Sequence, residues 1–153
     1  MLRPTRSIVL PAWTRLGRRL GWIAYVIVLL LAMHWPGVQI EGPVPRTDLW
    51  MHLGAFGAWT VGLSLTAWPG RIGTNANLVR TGLIAGVYAI VGELTQGLPG
   101  LHRVVAWEDA AANAAGVALG LSALAVLAAW LRRRDWELVE SEPSVQIAGA
   151  IDG

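Results

Sequence analysis

Cysteine is absent from this chain of 153 residues, and every basic residue is arginine. Without cysteine there is no disulfide, no zinc–thiolate site and no cysteine nucleophile. Charge is scarce as well: 14% of the residues are charged, against roughly a quarter in a soluble domain. The few charges gather at the chain ends and in short gaps, leaving long apolar runs that call for a lipid environment. A single domain is expected at this length. The formal net charge is +2, but no basic stripe is interleaved with aromatics as nucleic-acid readers require, so no nucleic-acid partner is expected.

Four apolar runs are present, at about 20–36, 48–68, 78–98 and 110–131. None has the polar face of a soluble amphipathic helix, and all exceed strand length. The expected fold is therefore all-α, an integral membrane bundle of four transmembrane helices embedded in the lipid bilayer. A basic N-terminal arm (1–19) precedes it, and a tail (132–153), acidic at first and then small and polar, is expected to be disordered. The first three runs end in Pro36-Gly37, Pro69-Gly70 and Pro99-Gly100, where proline disfavours helix before it and glycine accepts the turn after it. Trp22, Trp35, Trp50, Trp68, Trp107 and Trp130 fall near run ends, where indole meets the headgroup layer. Trp59 lies mid-run and is expected to pack against a neighbouring helix.

Arginine counts orient the bundle. Arg3, Arg6, Arg15, Arg18, Arg19, Arg71, Arg80, Arg132, Arg133 and Arg134 flank one side, and Arg46 and Arg103 the other. By the positive-inside rule both ends are cytoplasmic, in a multi-pass protein of the cell membrane. A cleaved signal peptide is the rival for the N-terminus. It lacks a small-x-small site, because the run exits through Ala32-Met33-His34-Trp35.

Three polar pairs share one depth near the outer surface. Asp48 and His52 open the second span four residues apart, and Asp109 and Asn113 open the fourth with the same spacing. Glu93 and Gln96 close the third span, again on one face. A carboxylate at mid-helix costs about 2.5–3.5 kcal/mol to insert, so Glu93 should face the bundle interior, with Arg103 or His52 as partner. Plainer readings exist. Asp48 and Asp109 also suit helix N-termini, stabilised by the dipole. Asn113 also suits interhelical glue, Gln96 a carbonyl cap, and His34 a merely interfacial position. Small residues allow close helix approach at Gly82 and Gly86, at Gly116 and Gly120, and at Gly54 and Ala58. A monomer and a homo-oligomer both remain open.

The ordered set resembles the VanZ-like family of bacterial membrane proteins. It comprises Asp48-x-x-x-His52, Glu93-x-x-Gln96, a Pro-Gly loop with Arg103, and Asp109-x-x-x-Asn113-x-x-Gly116-x-x-x-Gly120, over residues 46 to 124. Leu49 and the Leu101-His102 insertion depart from the pattern. The resemblance implies an envelope protein connected with susceptibility to the glycopeptide teicoplanin, and it implies no particular reaction.

Three functions from different classes compete. The first is a polar pocket for a lipid-linked or amphiphilic ligand, with Glu93, His52, Asp109 and Asn113 meeting an amide- or sugar-bearing headgroup. The second is a small membrane enzyme using Asp, His and Glu in acid–base or metal chemistry, although neither a Ser-His nor an H-E-x-x-H arrangement occurs. The third is a proton relay, for which the cytoplasmic half offers only Ser64, Thr66, Thr81 and Ser122. No cofactor and no metal-ligand set is assigned.

Overall fold

The computed structural model describes residues 6–35, 42–98 and 106–141. The element order is β1 (Arg6–Leu10), α1 (Ala12–His34), α2 (Thr47–Leu65), α3 (Asn75–Gln96), α4 (Trp107–Arg133) and β2 (Trp136–Glu140). Three of the four helices are long and apolar enough to cross a membrane, over Trp13–His34, Asn75–Gln96 and Trp107–Arg133. The remaining helix, α2, carries Asp48, His52, Thr60 and Ser64. It packs most extensively against α4 and also meets α1 and α3. A helix covered by its neighbours needs less apolar surface than one that faces lipid.

Helix ends follow local chemistry. The α2 helix stops at Thr66, whose N–H bonds back to Gly62 and Leu63, and Ala67 then takes the left-handed conformation at φ 61°. That is the usual helix-ending geometry, and Pro69 follows it. The Thr74 side chain accepts from the Asn77 N–H, which caps α3.

The bundle buries polar side chains and leaves large apolar ones exposed. On α3, Asn77, Thr81, Glu93 and Gln96 are buried, while Val79, Leu83, Val87, Ile90 and Leu94 are exposed. In water this would be inside out; in lipid it shelters each polar group within the bundle. The apolar core gathers Met33, Phe56, Trp59, Leu63, Ala85, Ala89 and Val117. Trp59 stacks on Tyr88 at 4.6 Å and meets the edge of Trp22 at 5.3 Å, as a mid-span indole between helices should.

The α2–α4 seam is backbone against backbone. A Cβ placed on Gly116 would lie 2.3 Å from the Leu53 carbonyl oxygen, and one on Gly120 would lie 2.9 Å from that of Gly57. Gly82 is looser, with only the Leu121 side chain at 3.0 Å. Gly54 and Gly86 meet nothing within 4 Å, so neither packs in this bundle.

Two expectations about the ends are corrected. The second part of the basic arm is helix, since α1 begins at Ala12 rather than near residue 20. Arg18 and Arg19 donate from it to the carbonyls of Leu65 and Thr66. The tail is ordered at its start: β2 pairs in parallel with β1, from Arg6 opposite Trp136 to Leu10 opposite Glu140. Glu140 accepts from Arg15 and Arg18, and Glu137 pairs with Arg71. These ion pairs supply what local propensity lacks, because two isolated strands are marginal by themselves. Residues 142–153 of the tail, Arg3, Pro36-Gly37, and the 99–105 loop with Arg103 lie outside the described residues.

Candidate functional site

The end of the bundle opposite the strand pair brings His52, Asp109 and Asn113 together across the α2–α4 seam. His52 Nδ1 lies 2.9 Å from Asn113 Oδ1, and Nε2 lies 3.7 Å from Asp109 Oδ2. An amide oxygen only accepts, so the first bond places a ring proton on Nδ1 and turns Nε2 toward the carboxylate. The side chains of His52 and Asp109 are 13% and 20% exposed, whereas Asn113 is fully buried. Four-residue spacing puts Asp109 and Asn113 on one face of α4, and the glycine seam one turn further in holds α2 close enough for His52 to reach both.

His52 is not the partner of Glu93, and Arg103 lies outside the described residues. Glu93 Oε1 accepts from the Ala106 N–H at 2.9 Å, and Ala106 is the N-cap of α4. A carboxylate there satisfies an orphan amide and faces the positive end of the α4 dipole. A local residue would ordinarily do this in a capping box; here α3 supplies it from across the bundle. Glu93 is 4% exposed, and among the described residues its Oε2 has no hydrogen-bond partner. Asn113 Nδ2 is likewise buried and unpartnered. Among the described residues the layer therefore leaves a carboxylate oxygen and an amide NH2 group without a partner.

The other expected residues divide. Gln96 is buried beside Glu93 on the inner face of α3. Asp48 stays outside the cluster: its carboxylate lies 3.7 Å from Arg46 Nε and is 41% exposed. Asp109 serves both of its readings, as a first-turn acid of α4 and as the partner of His52. His34 is more than interfacial, since its Nε2 lies 3.0 Å from Thr95 Oγ1 and ties α1 to α3. Among the described residues no three His, Asp or Glu side chains assemble into a metal-binding group.

Sequence reasoning passed over Asn77. It is fully buried, accepts from the Ser64 hydroxyl at 2.6 Å, and donates to the carbonyls of Gly70 and Ser64 at 2.8 and 3.3 Å. Its place three residues after a capping threonine was the available signal. A cavity of about 630 Å³ lies near it, lined by Arg71, Asn75, Arg132 and Trp136, and none of the expected site residues touches it. Against protein-family models, curated proteins and solved structures the chain gives no significant match.

Proposed function

We propose that the chain is a VanZ-like protein of the cell membrane with four transmembrane helices. In this reading its outer polar cluster binds the headgroup of a lipid-linked or amphiphilic envelope ligand. Pairing of β1 with β2 supports the crossing number, because strands at the two ends meet only if the helices cross an even number of times. With α1, α3 and α4 spanning, this supports a crossing by α2 as well. Arg18, Arg19, Arg71, Arg80 and Arg132 bond at the strand end of the bundle, and the positive-inside rule makes that end cytoplasmic. The cluster then opens toward the envelope. Single cysteines at Glu41, Val105 and Asn75, reacted in intact cells with an impermeant maleimide, test the orientation; labelling at Asn75 alone inverts it.

The observation carrying the ligand reading is that Glu93 Oε2 and Asn113 Nδ2, at the same end of the bundle, are buried without a hydrogen-bond partner among the described residues. A buried donor or acceptor without a partner costs about 1–3 kcal/mol, and such a cost is tolerated where something else completes it. Asn113 Nδ2 offers a hydrogen to a carbonyl or hydroxyl oxygen, and Glu93 Oε2 takes one from an N–H or O–H. Amide- and sugar-bearing headgroups present both. A photoreactive polyprenyl-linked N-acetyl sugar should crosslink to the N-terminal turns of α2 and α4, and Glu93→Gln should lose that labelling while still inserting. Undiminished labelling of the variant removes Glu93 from the site. The family resemblance adds one expectation: expression should change teicoplanin susceptibility, and Glu93→Gln should abolish the change.

A membrane enzyme is the second reading, favoured by the Asp109–His52 pair. With Nδ1 protonated, Nε2 can take a proton while Asp109 holds the resulting imidazolium. His52→Gln would then stop turnover of the same probe and leave its binding intact.

A further inference from the structure

We propose that a groove between the first turns of α2 and α4 holds a phospholipid whose headgroup carries both a phosphate and a primary ammonium. The groove measures about 440 Å³, and its lining includes Arg46, Trp50, Leu53, Trp107, Glu108 and Ala111. None of His52, Glu93, Asp109 or Asn113 lines it. On α2 its residues form a stripe through 46, 49, 50 and 53, whereas Asp48 and His52 occupy another. The inference therefore rests on membrane embedding and not on the ligand reading of the polar cluster.

The groove follows from the seam. Gly116 and Gly57 let the two backbones touch, but roughly two turns or a little more nearer the end the helices carry Trp50 and Trp107, 62% and 76% exposed. Beyond that tight contact the slot between the helix ends is lined mainly by apolar side chains. A hydrocarbon chain fills such a slot with dispersion contacts that water cannot supply. Indole at both rims also places the mouth at headgroup level.

Charge selects the headgroup. Arg46 brings a guanidinium, 57% exposed, with Asp48 at 3.7 Å as its ion-pair partner. Glu108, on the facing helix, has no ion pair among the described residues. One cation and one anion on opposite walls match a zwitterion, with the guanidinium on the phosphate and the carboxylate on the ammonium. The tryptophan faces attract the same ammonium. A glycerol headgroup would leave Glu108 facing a net anion. A choline headgroup has no N–H to donate to it.

Native mass spectrometry of the full chain tests this, with equimolar phosphatidylethanolamine, phosphatidylglycerol and phosphatidylcholine of matched acyl chains. Wild type should retain the ethanolamine lipid over each of the others by about fivefold, the scale of one exposed charge-assisted contact. Glu108→Gln should erase the margin over phosphatidylglycerol, and Arg46→Gln should weaken retention of all three. Ala111→Leu fills the slot without changing a charge, and it too should lower all three while thermal unfolding confirms an intact fold. Equal retention of the three lipids by wild type means non-selective annular lipid and overturns the proposal. So does a choline preference, or an ethanolamine preference that survives Glu108→Gln.

Discussion

Gly116→Ala should be the most damaging single-methyl change in this bundle. The added Cβ would stand 2.3 Å from the Leu53 oxygen, 3.0 Å from the Gly57 nitrogen and 3.1 Å from the Leu53 carbonyl carbon. All three are backbone atoms of α2, so no rotamer change relieves the clash. Relief requires the helices to part by about 1 Å, which strips dispersion contacts from the seam, including those of Gly120 with Gly57 and Thr60. Overpacking of this kind costs about 1–3 kcal/mol. It also carries Asn113, one turn away, off the 2.9 Å bond to His52. Unfolding in mixed micelles, followed by tryptophan fluorescence, would measure the loss. Gly86→Ala is the control, because its Cβ meets nothing within 4 Å and surface changes of that kind stay within about 0.5 kcal/mol. If the two variants unfold alike, the seam is not where the structure puts it.

Two further outcomes follow from the strand end of the bundle. Asn77→Ala removes one acceptor and two donor bonds from a fully buried position, so it should destabilise by about 2–3 kcal/mol. Asn75→Ala, at an exposed position two residues earlier, should be near neutral in the same titration. Glu140→Gln weakens the hold of β2 on Arg15 and Arg18, worth about 1–2 kcal/mol for a partly exposed charge-assisted pair. Hydrogen exchange should then speed up at Ile8–Leu10 and Leu138–Glu140 while α2 and α4 stay protected; unchanged exchange in both strands would mean the ion pairs do not hold the clasp.

Much of this was legible in sequence. Long apolar runs with proline–glycine ends located the helices to within a few residues. The α1 start is the largest miss, because Arg15, Arg18 and Arg19 read as an arm when counted as charges. As side chains they line one helical face and reach α2 carbonyls and Glu140. The polar pairs were legible for the same reason as the helices: a spacing of three or four residues fixes a shared face whatever the helix packs against.

Partnership lay beyond the sequence. His52 meets Asp109 and Asn113 rather than Glu93, and Glu93 serves the first amide of α4. That choice depends on how each helix is rotated and how deeply it sits. In lipid no hydrophobic difference between helix faces settles those variables, and small steric contacts decide them instead. Gly116 and Gly86 belong to two G-x-x-x-G motifs of the same form, yet they meet a backbone and open space respectively. The strand pair joins residues some 130 positions apart, and it forms because the bundle delivers both chain ends to one side. The sequence by itself determined which segments become helices and which side chains share a face. The tertiary structure alone decided which faces meet, because helix contact in a bundle is settled by backbone approach at particular glycines and by long-range ion pairs, neither of which leaves a local periodic trace.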